Sequence, residues 1–216
     1  MGRLALIPAA PVLLPDIDAS EAASAVRVRT AITDLLSTAD LWALPVDALP
    51  AVLGLGGFGI DRGLDTRTGQ RLDGDDWVNA VSGLAEDDRD TCTTAHPGLA
   101  VAALHAHAAE AATGPLGSSD SVLVPIDLSA AASANAPLAP VPGARDFDSA
   151  FMAAVRTGDL NGLRDAVSRA GAVHADLELL GAALDHLGEE PHTGGTTVLI
   201  DETIHEVRTV CAVIGT

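Results

Sequence analysis

Short apolar runs alternate with stretches of helical periodicity along most of the chain. Residues 4–7 are uninterrupted apolar positions closed by Pro8, the pattern of a strand covered on both faces. After a proline-punctuated loop, Asp18-Ala19-Ser20-Glu21 reads as a helix start. Ala23, Val26, Ile32, Leu35 and Leu36 then follow at helical spacing. Residues 40–44 predict a second strand, ended by Pro45. Residues 51–60 are apolar but carry Gly54, Gly56, Gly57 and Gly59, which suits a strand end or tight loop rather than a helix.

The polar, Gly- and Asp-rich residues 61–76 predict an exposed excursion, and residues 77–84 a short helix capped by Asp75 or Asp76. An Ala/Leu-rich helix is expected over 97–112, with Pro97 at its start and Gly114 just past its end. Residues 121–126 form a second buried-type strand, and 127–145 a long irregular segment of small residues. Three helices are expected at 146–156, 160–170 and 175–187. Residues 196–200 and 207–214 close the chain as a strand hairpin. This succession predicts an α/β fold, a mainly parallel central sheet flanked by helices, as one domain over residues 1–216.

Composition supports a folded domain. At 216 residues and 48% hydrophobic content, the chain can bury roughly 70% of its unfolded surface without a metal or disulfide staple. Charge then restricts the partners. Thirty acidic residues against 12 basic ones give a formal net charge of −18, and every basic residue is Arg. Such a surface repels phosphate backbones and anionic lipid heads, so neither nucleic acid nor a membrane surface is an expected partner. Its direct consequence is solubility, and it is compatible with high-salt adaptation. The N-terminal apolar run is too short and too proline-rich for a signal peptide, and no apolar stretch approaches a membrane span. A cytoplasmic location is the expectation. Cys92 and Cys211 are the only cysteines, have no short-range partner and make no metal-ligand spacing with His.

Candidate chemistry is sparse. The cluster Gly54-Leu55-Gly56-Gly57-Phe58-Gly59 runs into a polar loop rather than a helix and has no following Lys, so it reads as a turn rather than a phosphate loop. His105 and His107 stand two apart on an expected helix and point in different directions. His186, His192 and His205 have acidic neighbours, Asp185, Glu189, Glu190, Asp201, Glu202 and Glu206, but so does nearly every position in a chain with this many carboxylates. No Ser lies in a nucleophile elbow, and no Cys has a nearby activating His.

One segment carries a resemblance. Pro8-Ala9-Ala10-Pro11-Val12-Leu13-Leu14-Pro15-Asp16 resembles the start of the class III extradiol dioxygenase subunit-B superfamily, which includes the MEMO-like proteins. There the first strand ends in Pro-His-Pro-Pro, and the His is a ligand of the catalytic non-haem iron. In this chain the His position is Ala9, and the next Pro is Ala10. The superfamily's second His follows its second strand, whereas here that strand ends Leu44-Pro45-Val46-Asp47. A later strand leads to a catalytic His, and the matching stretch Val124-Pro125-Ile126-Asp127-Leu128-Ser129-Ala130 has none. The resemblance is closer to an actinobacterial branch with a Gly-Asp-Gly-Ser-Ala turn, a downstream Lys-Ala-Pro and a Phe-Asp opening a helix. Asp127-Leu128-Ser129-Ala130, Asn135-Ala136-Pro137 and Phe147-Asp148 are similar to these in order. Most of the chain is covered in layout, and three short patches in residue detail.

The resemblance implies an extradiol dioxygenase subunit-B-like fold without the ancestral iron site. Ring cleavage needs two His and a carboxylate on the metal with open positions, so a non-catalytic relative with no cofactor and no metal is expected. Its cleft at the strand ends would hold a small molecule or a protein partner, with Ala9, Asp47, Asp127, Ser129 and Asn135 as the cleft residues. Two alternatives stand beside it. One is a divergent metal-dependent dioxygenase or hydrolase using some of His96, His174, His186, His192 and His205. The other is an oligomeric structural or assembly protein, in the simplest case a homodimer.

Overall fold

The computed structural model describes residues 2–15, 17, 23–188 and 194–215. The expected helix start at 18–21 and His192 therefore lie outside the described residues. The first strand, β1 (Arg3–Pro8), is buried along nearly its whole length and pairs in parallel with β7 (Ser121–Ile126), register Leu4↔Val122 to Pro8↔Ile126. Burial on both faces explains why each reads as a continuous apolar run.

On the far side of β7 stand β2 (Leu41–Ala43) and then β6 (Ala112–Gly114), both parallel. On the far side of β1, the hairpin β8 (Thr196–Ile204) and β9 (Val207–Gly215) joins antiparallel. The order is β6-β2-β7-β1-β9-β8, a mixed and mostly parallel central sheet. The helices α1 (Ala23–Leu36) and α4 (Pro97–Ala108) pack together and cover one face. Covering the other face are α5 (Ala144–Thr157), α6 (Leu160–Arg169) and α7 (Glu178–Leu187). The main core lies between these layers, around Trp42, Phe147, Phe151 and the inward residues of β1 and β7.

The structure differs from the sequence expectation in three regions. Residues 61–76 contain β4 (Arg62–Asp65) and β5 (Gln70–Asp73), which pair antiparallel with each other. With β3 (Val52–Gly54) they form a separate three-stranded sheet. Leu64 packs into the main core, whereas Leu72, on the opposite face, joins a small cluster with Val52 and Leu84; Asp65 is also buried, paired with Arg67 at 2.6 Å. Above this small sheet lie α2 (Asp75–Ser82) and α3 (Glu86–Thr94), neither with a buried residue. A helix without a buried stripe leaves no periodic signal, so α3 is invisible in the sequence. The first turn of α2 holds Asp75 and Asp76 beyond a Gly74 cap, where they favour the helix dipole instead of capping it. The third difference is that the Ala-rich helix ends at Ala108, and Gly114 belongs to the edge strand β6.

Within the glycine cluster Gly54 serves packing, as does Gly63 beyond it, while Gly59 takes a left-handed turn with φ of 70°. A Cβ at Gly54 or Gly63 would collide with the ring of Trp77, which lies against the β3–β4 pair. Among the described residues, no helix is long and apolar enough to cross a membrane.

Candidate functional site

The loop leaving β1 leads to α1 on one face of the sheet, while the loop leaving β7 leads to α5 on the other. Adjacent parallel strands whose connections diverge in this way leave a crevice at their carboxyl ends. A cavity of about 300 Å³ lies there. Pro8, Ala10, Val12 and Leu13 line it from the β1 side, and Ile126, Asp127, Leu128 and Ala130 from the β7 side. The end of the β8–β9 hairpin closes it with Ile204, His205 and Val207 to Val210, and His174 and Asp176 complete the wall.

Local geometry explains how these segments meet. Asp127 and Asp176 form an isolated antiparallel bridge, Asp127 N–H to Asp176 O at 3.0 Å and the reverse bond at 2.8 Å. Ala130 N–H donates to the carbonyl of His174 at 3.2 Å. The loop after β7 is thereby stitched to the segment ahead of α7. His174 and His205 both adopt left-handed backbone, with φ of 54° and 48°. For a residue with a Cβ that conformation is uncommon, and here it belongs to tight turns bordering the cavity.

Asp127 dominates the electrostatics. Among the described residues no side chain is hydrogen-bonded or ion-paired to its carboxylate, which is mostly buried. Burial pushes its pKa up to about 6, the Asp176 charge adds to this, and the Ala9 backbone N–H and His96 act in the other direction. Asp176 is in a different state. Its Oδ2 lies 2.9 Å from His96 Nε2, and this bond holds its carboxyl below the usual range. His96 caps α4, its Nδ1 accepting from Gly98 N–H at 3.1 Å, which leaves the proton on Nε2 to be donated to Asp176. The Asp176 hydrogen bond raises the His96 pKa, with burial opposing it. Protonating Nδ1 would also break the cap.

Arg208 lines the cavity but is engaged elsewhere. Its Nε and Nη2 each lie 2.7 Å from the Asp201 carboxylate, which also takes Arg156, and it is close to Asp148. These two arginines and two aspartates balance one another and leave Asp127 uncompensated.

Of the cleft residues expected from sequence, Asp127 lines the cavity. Ala9 stands where β1 ends, 7% exposed, with its N–H donating to Ile126 O at 3.0 Å, while its neighbours Pro8 and Ala10 supply the lining. Asp47 and Asn135 are exposed and stand apart from this cavity. Ser129 is fully buried and structural. Its Oγ donates to Val173 O at 2.6 Å and accepts from Ala131 N–H at 3.1 Å, and its own N–H donates to Asp148 Oδ1 at 3.1 Å.

Sequence reasoning missed Asp176, Arg208 and Thr209 as cavity residues. They converge through contacts distant in the chain, and only the irregular loop after β7 signalled the region. His105 is buried, its pKa lowered to about 4 by burial, while His107 on the same helix is exposed, as their spacing requires. His174 and His205 border the cavity, His96 stands behind Asp176, and His186 is in the last turn of α7. Among the described residues, no three His, Cys, Asp or Glu side chains are grouped so as to hold a metal ion. No protein-family model and no curated protein matches the chain.

Proposed function

We propose that this chain is a relative of the class III extradiol dioxygenases that has lost the iron site and uses the cleft at the ends of β1 and β7 to bind a small, largely apolar molecule. One observation carries the reading. A cavity of about 300 Å³ at the sheet's crevice is walled mostly by apolar side chains and offers one carboxylate with no side-chain partner among the described residues, that of Asp127. That size is at the lower end of small-molecule sites, which run to roughly 300–1,000 Å³, and such sites combine apolar walls with a few polar groups that fix orientation. Ala9, at the end of β1, supports the loss of iron chemistry, because a methyl group cannot ligate a metal. The role of Asp127 is to orient the ligand's polar end, and Val12, Leu13, Leu128 and Val210 supply the apolar contact.

Metal analysis tests this directly. Protein purified without chelators is expected to carry only sub-stoichiometric iron or zinc, and EDTA is expected to leave its Tm unchanged. Stoichiometric iron or zinc, lost on chelation together with thermal stability, would overturn the reading in favour of a relocated metal centre.

A further inference from the structure

We infer that the molecule held in this cleft is a cation, an apolar amine whose ammonium group sits against Asp127; this rests on the cleft being the binding site. The first support is the pattern of partners. Most carboxylates around the cleft already have one: Asp176 takes the proton of His96 Nε2 at 2.9 Å, and Asp201 is held between Arg208 and Arg156. Asp148 receives the Ser129 N–H and lies close to Arg208. Asp127 alone lines the cavity without a cationic side chain bonded to it, among the described residues.

A carboxylate buried in that condition is unfavourable unless a cation or a strong donor reaches it. The protein supplies the Ala9 backbone N–H but no cation, and the carboxylate borders the cavity. The remaining titratable and charged groups bordering this volume do not supply one. Arg208 is turned to Asp201, the Asp176 carboxylate adds negative charge, His96 is bonded to Asp176, and among the described residues no hydrogen bond or ion pair joins the imidazole of His174 or His205 to Asp127. An anionic ligand would meet two carboxylates. A neutral alcohol could hydrogen-bond to Asp127 but would leave its charge unbalanced. An ammonium satisfies both the hydrogen-bonding and the charge requirement, while the apolar body of the amine contacts Val12, Leu13, Leu128 and Val210.

The chain's net charge of −18 attracts any cation weakly, so the test must separate the cleft from the surface. Three probes of one shape do this: benzylamine, benzyl alcohol and benzoate, each titrated into the full chain at moderate salt and followed by amide chemical shifts. Benzylamine is expected to move the amides of Asp127, Leu128, His174 and Val210 and to bind at least about ten-fold more tightly than benzyl alcohol, with benzoate silent. Its affinity is expected to fall as the pH is lowered from 7.5 to 5, because Asp127 takes up a proton. D127N is expected to erase both the preference for the amine and this pH dependence. The variant keeps His96, His174, His205, Asp176 and Arg208, so a dependence lost with it belongs to Asp127.

If benzyl alcohol or benzoate shifts the same amides as strongly as benzylamine, the charge inference is overturned and the cleft reading stands. If none of the three probes moves a cleft amide, both fall. Benzylamine shifts confined to surface carboxylates, or undiminished in D127N, also overturn the inference.

Discussion

D127N is expected to be more stable than the natural chain at pH 7, by about 2–3 kcal/mol, an unusual direction for a substitution at a mostly buried position. The carboxyl goes from 3.8 to about 6 on folding. Each unit of such a difference corresponds to about 1.4 kcal/mol between the two protonation states. The pH window follows from the direction of the shift. Below about pH 4 both folded and unfolded chains carry the proton, and the substitution gains nothing. Between about 4 and 6 the folded chain retains a proton that the unfolded chain releases, so the natural protein loses stability as the pH rises. Above about 6 the deficit is constant.

Asn preserves the shape and can still accept from the Ala9 N–H, and it also removes the repulsion on Asp176. Urea denaturation of both proteins at several pH values between 4 and 8 measures the difference directly. A stability gain that grows from pH 4 to 6 and then levels off is the expected curve. Such a gain is the usual mark of a site kept for function at the expense of stability. A variant less stable than the parent at pH 7 would mean that the folded protein compensates the charge.

The second large effect has the opposite sign. S129A is expected to lower stability by about 2–4 kcal/mol, because one hydroxyl serves two backbone groups in a fully buried place. Removing it leaves the Val173 carbonyl without a donor and the Ala131 N–H without an acceptor. Each buried group so stranded costs about 1–3 kcal/mol. The damage is directed at the cleft. Val173 immediately precedes His174, and the Ser129 hydroxyl joins that turn to the loop after β7. Increased hydrogen exchange at His174, Ala175 and Ala131 should accompany the loss. A loss below 1 kcal/mol in urea titration would show that the two groups find other partners.

The contrast between Asp127 and Ser129 shows how far the sequence is readable at this site. Both stand just beyond a strand whose apolar run, 121–126, is unambiguous because parallel strands are covered on both faces. That places the loop at the sheet's carboxyl edge, and Asp127 follows from it. It does not tell which side chains turn outward. Ser129 turns inward because α5 brings Asp148 under its N–H and the turn at 170–173 brings Val173 O to its hydroxyl. Those partners are 19 and 44 residues away. Asp176 and Arg208 reach the cavity through similar long-range convergence, and nothing local marks them.

At the level of the fold, the same physics separates what is readable from what is not. The β8–β9 hairpin, β7 and α5 are recognisable because burial imposes a period. Helix α3, Glu86–Thr94, buries nothing, and β4 and β5 bury one leucine each. Edge strand β6 lies in an Ala-rich run where helix and strand have the same composition.

The central claim is that a carboxylate is kept uncompensated in an apolar cleft so that a ligand can meet it. The ¹³C resonance of the Asp127 carboxyl carbon, followed against pH in the ligand-free protein, tests this most directly. A midpoint close to 6, well above the ordinary aspartate range, is the predicted result. A midpoint at or below the ordinary aspartate value of about 3.9 would show that the protein already neutralises this charge, and would contradict the account.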